Sequence, residues 1–310
     1  MMTGRWWLRI GALAAAALLV GWGVFANFAT AGATGRLDKV WGRRGLLKGD
    51  FIKPRAMALD QDGNIVTVDF RAMLQTFTPD GELTAAWQTP DHKIGRPSGL
   101  CVDGQGRVLV ADSHYHQVLV YDKAGTLLKK YGGDFGDAPL VGMFGYIGDV
   151  AVDSKGFIYI AEAQQHERIT KITEEGKIVA QWGERGPAPG QFQRIRSLFI
   201  DKNDVLYAAD ACNHRVQVFD ANGKFLREFG HDLLQYPYDV VVSDQGDIYV
   251  CEWGSSRIRR FRNDGTLVGT WGEPGRKPGQ LANPWAIALD RKGRLLIADS
   301  DNHRVQRVVF

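Results

Sequence analysis

Two patterns of apolar positions divide the chain. From Ile10 to Phe28 nearly every residue is apolar, and no charge falls between Ile10 and Gly35. A helix of that length spans about 28 Å, close to the hydrocarbon thickness of a bilayer. Beyond Gly35 the apolar runs shorten and alternate with polar residues, as in Arg215-Val216-Gln217-Val218-Phe219. That is the two-residue period of half-buried strands. Turn clusters such as Asp220-Ala221-Asn222-Gly223 and Asp290-Arg291-Lys292-Gly293 separate them. The pattern predicts one apolar helix, then short strands to the end.

The strands repeat. Ala208–Gln217 and Ile297–Gln306 match almost residue for residue, 89 positions apart. An acidic residue recurs at Asp69, Asp112, Glu162, Asp210, Glu252 and Asp299. Nine residues before each stands Asp60, Asp103, Asp153, Asp201, Ser243 or Asp290. An aromatic-Gly mark recurs at Trp41-Gly42, Tyr131-Gly132, Trp182-Gly183, Phe229-Gly230 and Trp271-Gly272, with Trp87-Gln88 as the departure. Residues 35–310 accommodate six repeats of 46. Each supplies four strands, the content of a propeller blade. The sixth repeat stops at Phe310, before its fourth strand, whereas Gly35–Gly42 resembles the fourth strand Gly223–Gly230. An all-β, six-bladed propeller therefore follows, closed by an N-terminal strand in the last blade that leaves no open edge.

These residues resemble the NHL-repeat family, whose Asn-His-Leu triplet reads here as Asn213-His214-Arg215 and Asn302-His303-Arg304. The Gly-x-Phe-x-x-Pro opening of a repeat is present at Gly49–Pro54, and at Gly279–Pro284 with Leu281 for Phe; Gly142–Ile147 and Gly190–Ile195 end in Ile. The resemblance covers residues 35–310 and implies the propeller fold, with a membrane-anchored bacterial type expected. It implies little about activity, because such propellers include enzymes, RNA binders and interaction platforms.

Two readings of the N-terminal segment compete. Ala29-Thr30-Ala31 and Ala31-Gly32-Ala33 offer small-x-small cleavage patterns, whereas the apolar stretch exceeds a usual signal core. Its length favours an uncleaved anchor. The expected organisation is a cytoplasmic N-terminus at 1–9, a transmembrane helix or signal anchor at 10–28, a linker at 29–34 and the propeller at 35–310. The bulk lies on the extracytoplasmic, periplasmic side, because long domains translocate largely regardless of charge.

Charge narrows the partners. Lys and Arg number 38 against 35 Asp and Glu, and two of the cations, Arg5 and Arg9, precede the apolar segment. A near-neutral propeller is not the footprint of a nucleic-acid binder. The three cysteines, Cys101, Cys212 and Cys251, show no metal-knuckle spacing and are read as unpaired.

Candidate chemistry is sparse. His116, His166, His214 and His303 hold equivalent repeat positions, so loop-bracing hydrogen bonds are expected of them, and turn bracing of the acidic series. No nucleophile elbow or phosphate loop occurs. No catalytic residue, metal site or cofactor is assigned. The more informative positions differ between blades. The first strand of each blade lines the channel, and its opening residues ring the mouth: Arg55, Ser98, Gly148, Arg196, Tyr238 and Trp285, followed by Ala56, Gly99, Asp149, Ser197, Asp239 and Ala286. A purely structural position would repeat its chemistry.

Arg55, Ser98, Asp149, Arg196, Tyr238, Asp239 and Trp285 are therefore the candidate partner-binding residues, suited to polar or peptide recognition. The expected function is a membrane-tethered protein- or peptide-interaction module, an accessory subunit of a larger membrane complex, with its partner on the mouth face close to the bilayer. The alternative is an extracytoplasmic metal-dependent lyase or hydrolase resembling peptidyl-amidoglycolate lyase or a lactonase propeller. The lyase's metal is held by channel-facing histidines. Here no mouth position is His, and His92 and His231 fall in inter-blade loops.

Overall fold

A computed structural model describes residues 35–90, 92–93, 96–133 and 144–310. The predicted helix at 10–28 lies outside the described residues. Among the described residues, no helix is long and apolar enough to cross a membrane.

The described residues form six four-stranded antiparallel sheets. Strand β1 is Arg36–Trp41; blades one to five are β2–β5 (54–88), β6–β9 (97–132), β10–β13 (146–182), β14–β17 (195–229) and β18–β21 (237–271). Blade six joins β22–β24 (286–309) to β1, in the order β1-β24-β23-β22. The N-terminal strand thus pairs with the last strand, Arg36 opposite Val309 and Trp41 opposite Val305. The expected closure is the observed one.

Turn chemistry builds each blade. Asp60 Oδ1 accepts from Asp62 N and Asn64 N at 2.8 Å each, holding the β2–β3 turn, and Asp103, Asp153, Asp201 and Asp290 repeat the bond. The second acidic series ties each blade to the loop that enters it. Asp69, Glu162, Asp210, Glu252 and Asp299 accept from the backbone N–H seventeen residues earlier, at Ile52, Gly145, Gln193, Gln235 and Ala282. Gly42 permits the outer strand to leave its blade: its φ is +87°, and a Cβ there would sit 2.5 Å from the Phe51 ring.

Six apolar clusters form the core, one between each pair of neighbouring blades. Histidines fasten those pairs at the loops. His116, His214 and His303 adopt left-handed conformations after a 3-10 turn. His303 Nδ1 accepts from Lys53 N and His214 Nδ1 from Tyr236 N, each in the next blade; His116 Nδ1 bonds Gly145 O. In blade three the bond to the next blade's Arg194 N falls to Glu167, and His166 instead lies 4.0 Å from Glu162. The bracing expected of the acidic series is present at five of its six members, and that of the histidines at three of four.

Candidate functional site

A backbone irregularity aims the candidate residues. In β2, β6, β10, β14 and β18 the pairing register shifts within the first residues, so Arg55, Ser98, Gly148, Arg196 and Tyr238 have no partner opposite them. Such bulges redirect a side chain. In blade six Trp285 takes the same place, just before β22. The first strands surround a central cavity of about 850 Å³. All seven candidate residues line it.

The structure sorts those seven into two groups. Arg55, Arg196, Tyr238 and Trp285 form a contiguous rim. The Tyr238 and Trp285 rings stack with centroids 5.1 Å apart and planes 19° apart. The Arg55 guanidinium carbon lies 4.5 Å from the Trp285 centroid, and that of Arg196 5.1 Å from Tyr238. These are cation–π distances. Arg196 also donates to the Tyr236 hydroxyl at 3.2 Å. Burial pulls Arg55 below the ordinary arginine value. It raises the Tyr238 phenol despite both arginines.

Ser98, Asp149 and Asp239 are committed elsewhere. Ser98 Oγ donates across to blade three, with the Gly148 carbonyl at 2.7 Å. Asp149 accepts from Leu198 N in blade four, and Asp239 from Ile287 N in blade six and from Ser197 Oγ in blade four. They staple blades together along the channel wall. Burial and the charge of Asp239 push Asp149 well above the carboxylate range. Burial lifts Asp239 to about 6.

The rim also holds residues absent from the candidate set. Tyr236 packs on Tyr238 and Trp253, and Phe70 lies under both Arg96 and Arg55. His114 meets Tyr146 edge-on, and burial, with Arg55 and Arg96 nearby, lowers its pKa. One signal could have found several of them. The residue two before each mouth position reads Lys53, Arg96, Tyr146, Arg194, Tyr236 or Asn283, as varied as the mouth itself. Phe70 and Trp253 each follow a residue of the second acidic series.

The chain enters at the other end. First strands run from the mouth inward and fourth strands run back toward it, so Arg36, opposite Val309, starts at the face away from Arg55. A Cβ on Gly35 would touch Val308, Trp271 and Phe310, and Phe310 lines the far part of the cavity. Gly35 therefore lies at the face opposite the mouth positions.

Fold and site together define a six-bladed β-propeller with a basic, aromatic channel mouth. The NHL-repeat model matches residues 95–121 and 281–308, and a model described as a 6-bladed beta-propeller matches 141–271, so the chain carries NHL repeats in a six-bladed propeller domain. Protein brain tumor of Drosophila melanogaster is 30% identical over 142 residues, covering 45% of this chain and 13% of its own. Peptidylglycine alpha-amidating monooxygenase of Rattus norvegicus is 36% identical over 145 residues, 44% of this chain and 15% of its own. Peptidyl-glycine alpha-amidating monooxygenase B of Xenopus laevis is 27% identical over 289 residues, 87% of this chain and 31% of its own. The chain therefore spans less than a third of the length of each of these relatives. A streptogramin B lyase structure superposes with a TM-score of 0.65 at 14% identity, covering 89% of this chain and 97% of its own. At that identity the likeness concerns the fold alone.

Proposed function

We propose that this chain is a protein- or peptide-binding module, held at a membrane by Ile10–Phe28 with its propeller on the extracytoplasmic side. Its partner docks on the face carrying the channel mouth. The observation that supports this reading is the rim itself. At a ring position where a structural role would repeat one residue, the chain places two arginines and two aromatics that lean on each other. Arginine and aromatic side chains dominate interface energetics.

The tether's polarity refines the partner. The six linker residues reach about 20 Å at most, and a six-residue strand is about 20 Å long. With Gly35 at the far face, the mouth points away from the lipid. The docking partner is therefore a membrane protein whose folded part stands off the bilayer, or a peptide segment presented at that height, in keeping with an accessory subunit. The lyase reading fits less well. Among the described residues, no three His, Cys, Asp or Glu side chains come together to hold a metal. The mouth-side carboxylates are occupied by backbone bonds.

Affinity recovery of the full chain from detergent-solubilised membranes tests the reading. Arg196→Ala and Trp285→Ala should each reduce partner recovery about ten-fold, as hot-spot losses do, with circular dichroism showing a folded propeller. Unchanged recovery moves the docking surface elsewhere. Release of the chain by alkaline carbonate removes the tether.

A further inference from the structure

We propose that the channel mouth is a carboxylate receptor: Arg55 and Arg196 clasp the carboxylate of a docked peptide, and the Tyr238–Trp285 stack carries the apolar group beside it. The proposal deepens the docking reading above and rests on it.

The chain's own treatment of buried arginine motivates it. Among the described residues four arginines are less than a tenth exposed: Arg55, Arg215, Arg304 and Arg307. Arg215 holds Asp210 at 2.9 Å, Arg304 holds Asp299 at 2.7 Å, and Arg307 holds Asp38 at 2.6 Å. Among the described residues Arg55 pairs with no carboxylate. It is 6% exposed, it lies against Trp285 and Phe70, and its Nε has no hydrogen-bond partner. A buried guanidinium without a counter-ion is strongly disfavoured, and at Arg215, Arg304 and Arg307 this fold supplies one. At the mouth no described residue supplies that counter-ion, and in this proposal it arrives with the ligand.

Arg196 makes the same case from the neighbouring side of Tyr238. It donates to the Tyr236 hydroxyl at 3.2 and 3.4 Å and lies over the Tyr236 and Tyr238 rings, and among the described residues it pairs with no carboxylate. Two planar guanidiniums flanking one stacked ring pair suit a planar, monovalent anion, which accepts bidentate bonds. A dianion suits the site less. Asp239, ionised above its pKa of about 6, follows Tyr238 by one residue and lines the same cavity, so a negative charge stands beside the rim. The stacked rings give an apolar platform next to the charge, which a peptide's side chain or terminal residue fills.

Isothermal titration of the full chain in detergent tests the proposal. The probes are N-acetylphenylalanine, N-acetylglutamic acid α-amide, N-acetylphenylalaninamide and inorganic phosphate. At least one acid should bind ten-fold or more tighter than the neutral amide. Whichever acid it is assigns the carboxylate to a chain terminus or to a side chain. Arg55→Met and Arg196→Met should each weaken that acid ten-fold or more. If Arg55→Met fails to fold, the half-buried Arg196→Met carries the test. Equal binding of acid and amide, tighter binding of phosphate, or full binding by a folded arginine variant overturns the proposal. Equal binding that Trp285→Ala abolishes overturns the carboxylate while leaving the docking face in place. Acid binding through both arginines, with partner recovery indifferent to Arg196→Ala and Trp285→Ala, overturns the docking reading instead.

Discussion

Replacing Asp38 with Asn weakens the seam where the first strand meets the last. Asp38 Oδ2 lies 2.6 Å from Nε of Arg307 and 3.5 Å from Nη1 of Arg294, across sequence separations of 269 and 256 residues. Arg307 is buried, so losing that carboxylate leaves its charge with the Pro79 carbonyl at 2.5 Å and the exposed Asp80 carboxylate at 3.7 Å. Breaking a fully buried pair costs about 3–5 kcal/mol. Here Asp38 is partly exposed and Asp80 remains, so about 2 kcal/mol is expected. At about 2–4 °C per kcal/mol for a domain of this size, the melting temperature should fall by roughly 4–8 °C. The Arg307 hydrogen bond holds Asp38 below its ordinary pKa. Its contribution is therefore fully present above the unfolded value near 4 and is lost as pH falls through the folded value. Thermal unfolding followed by circular dichroism should separate parent and D38N at pH 7 and bring them together in acid. The double variant D38N/R307M should regain most of the loss, because an unpaired buried charge is the source of the cost. A D38N protein melting within a degree of the parent at pH 7, or a double variant no better than D38N, would refute the reasoning.

Two further outcomes follow from the same geometry. Asp239 has a folded pKa of about 6 against about 4 unfolded, so the folded state binds the extra proton and stability declines as pH rises from about 4 to about 6. The decline is at most about 3 kcal/mol, since the carboxyl borders the channel and is partly screened. Asp239→Asn should flatten that slope, whatever constant offset the lost acceptor adds; parallel melting curves for parent and D239N from pH 4.5 to 7.5 would contradict it. Gly42→Ala forces a Cβ into the Phe51 ring at positive φ and should cost about 2 kcal/mol, read as a lower denaturant midpoint with unchanged slope.

The sequence by itself determined the blade count, the turn chemistry and the closure. Each is carried by residues close in the chain or by their periodic recurrence. Asp60 acts on Asn64 four residues away and Asp299 on Ala282 seventeen residues away, and the missing sixth outer strand is visible as a copy at residues 35–42. The mouth positions were legible for the same reason, as the odd members of a regular ring. What those positions do was decided by contacts between blades. Asp149 meets Leu198 forty-nine residues on, and Asp239 meets Ile287 forty-eight on, so two residues that read as free carboxylates hold backbone instead. Arg55 and Trp285 touch only because the ring closes between blades six and one, and Tyr236, Phe70 and Trp253 reach the rim from connecting loops rather than first strands. The face at which Gly35 lies likewise depends on which way the closing strand runs. Periodicity reports a residue's place within one blade; its neighbours in the next blade depend on how six sheets are packed, and only the tertiary structure supplies that.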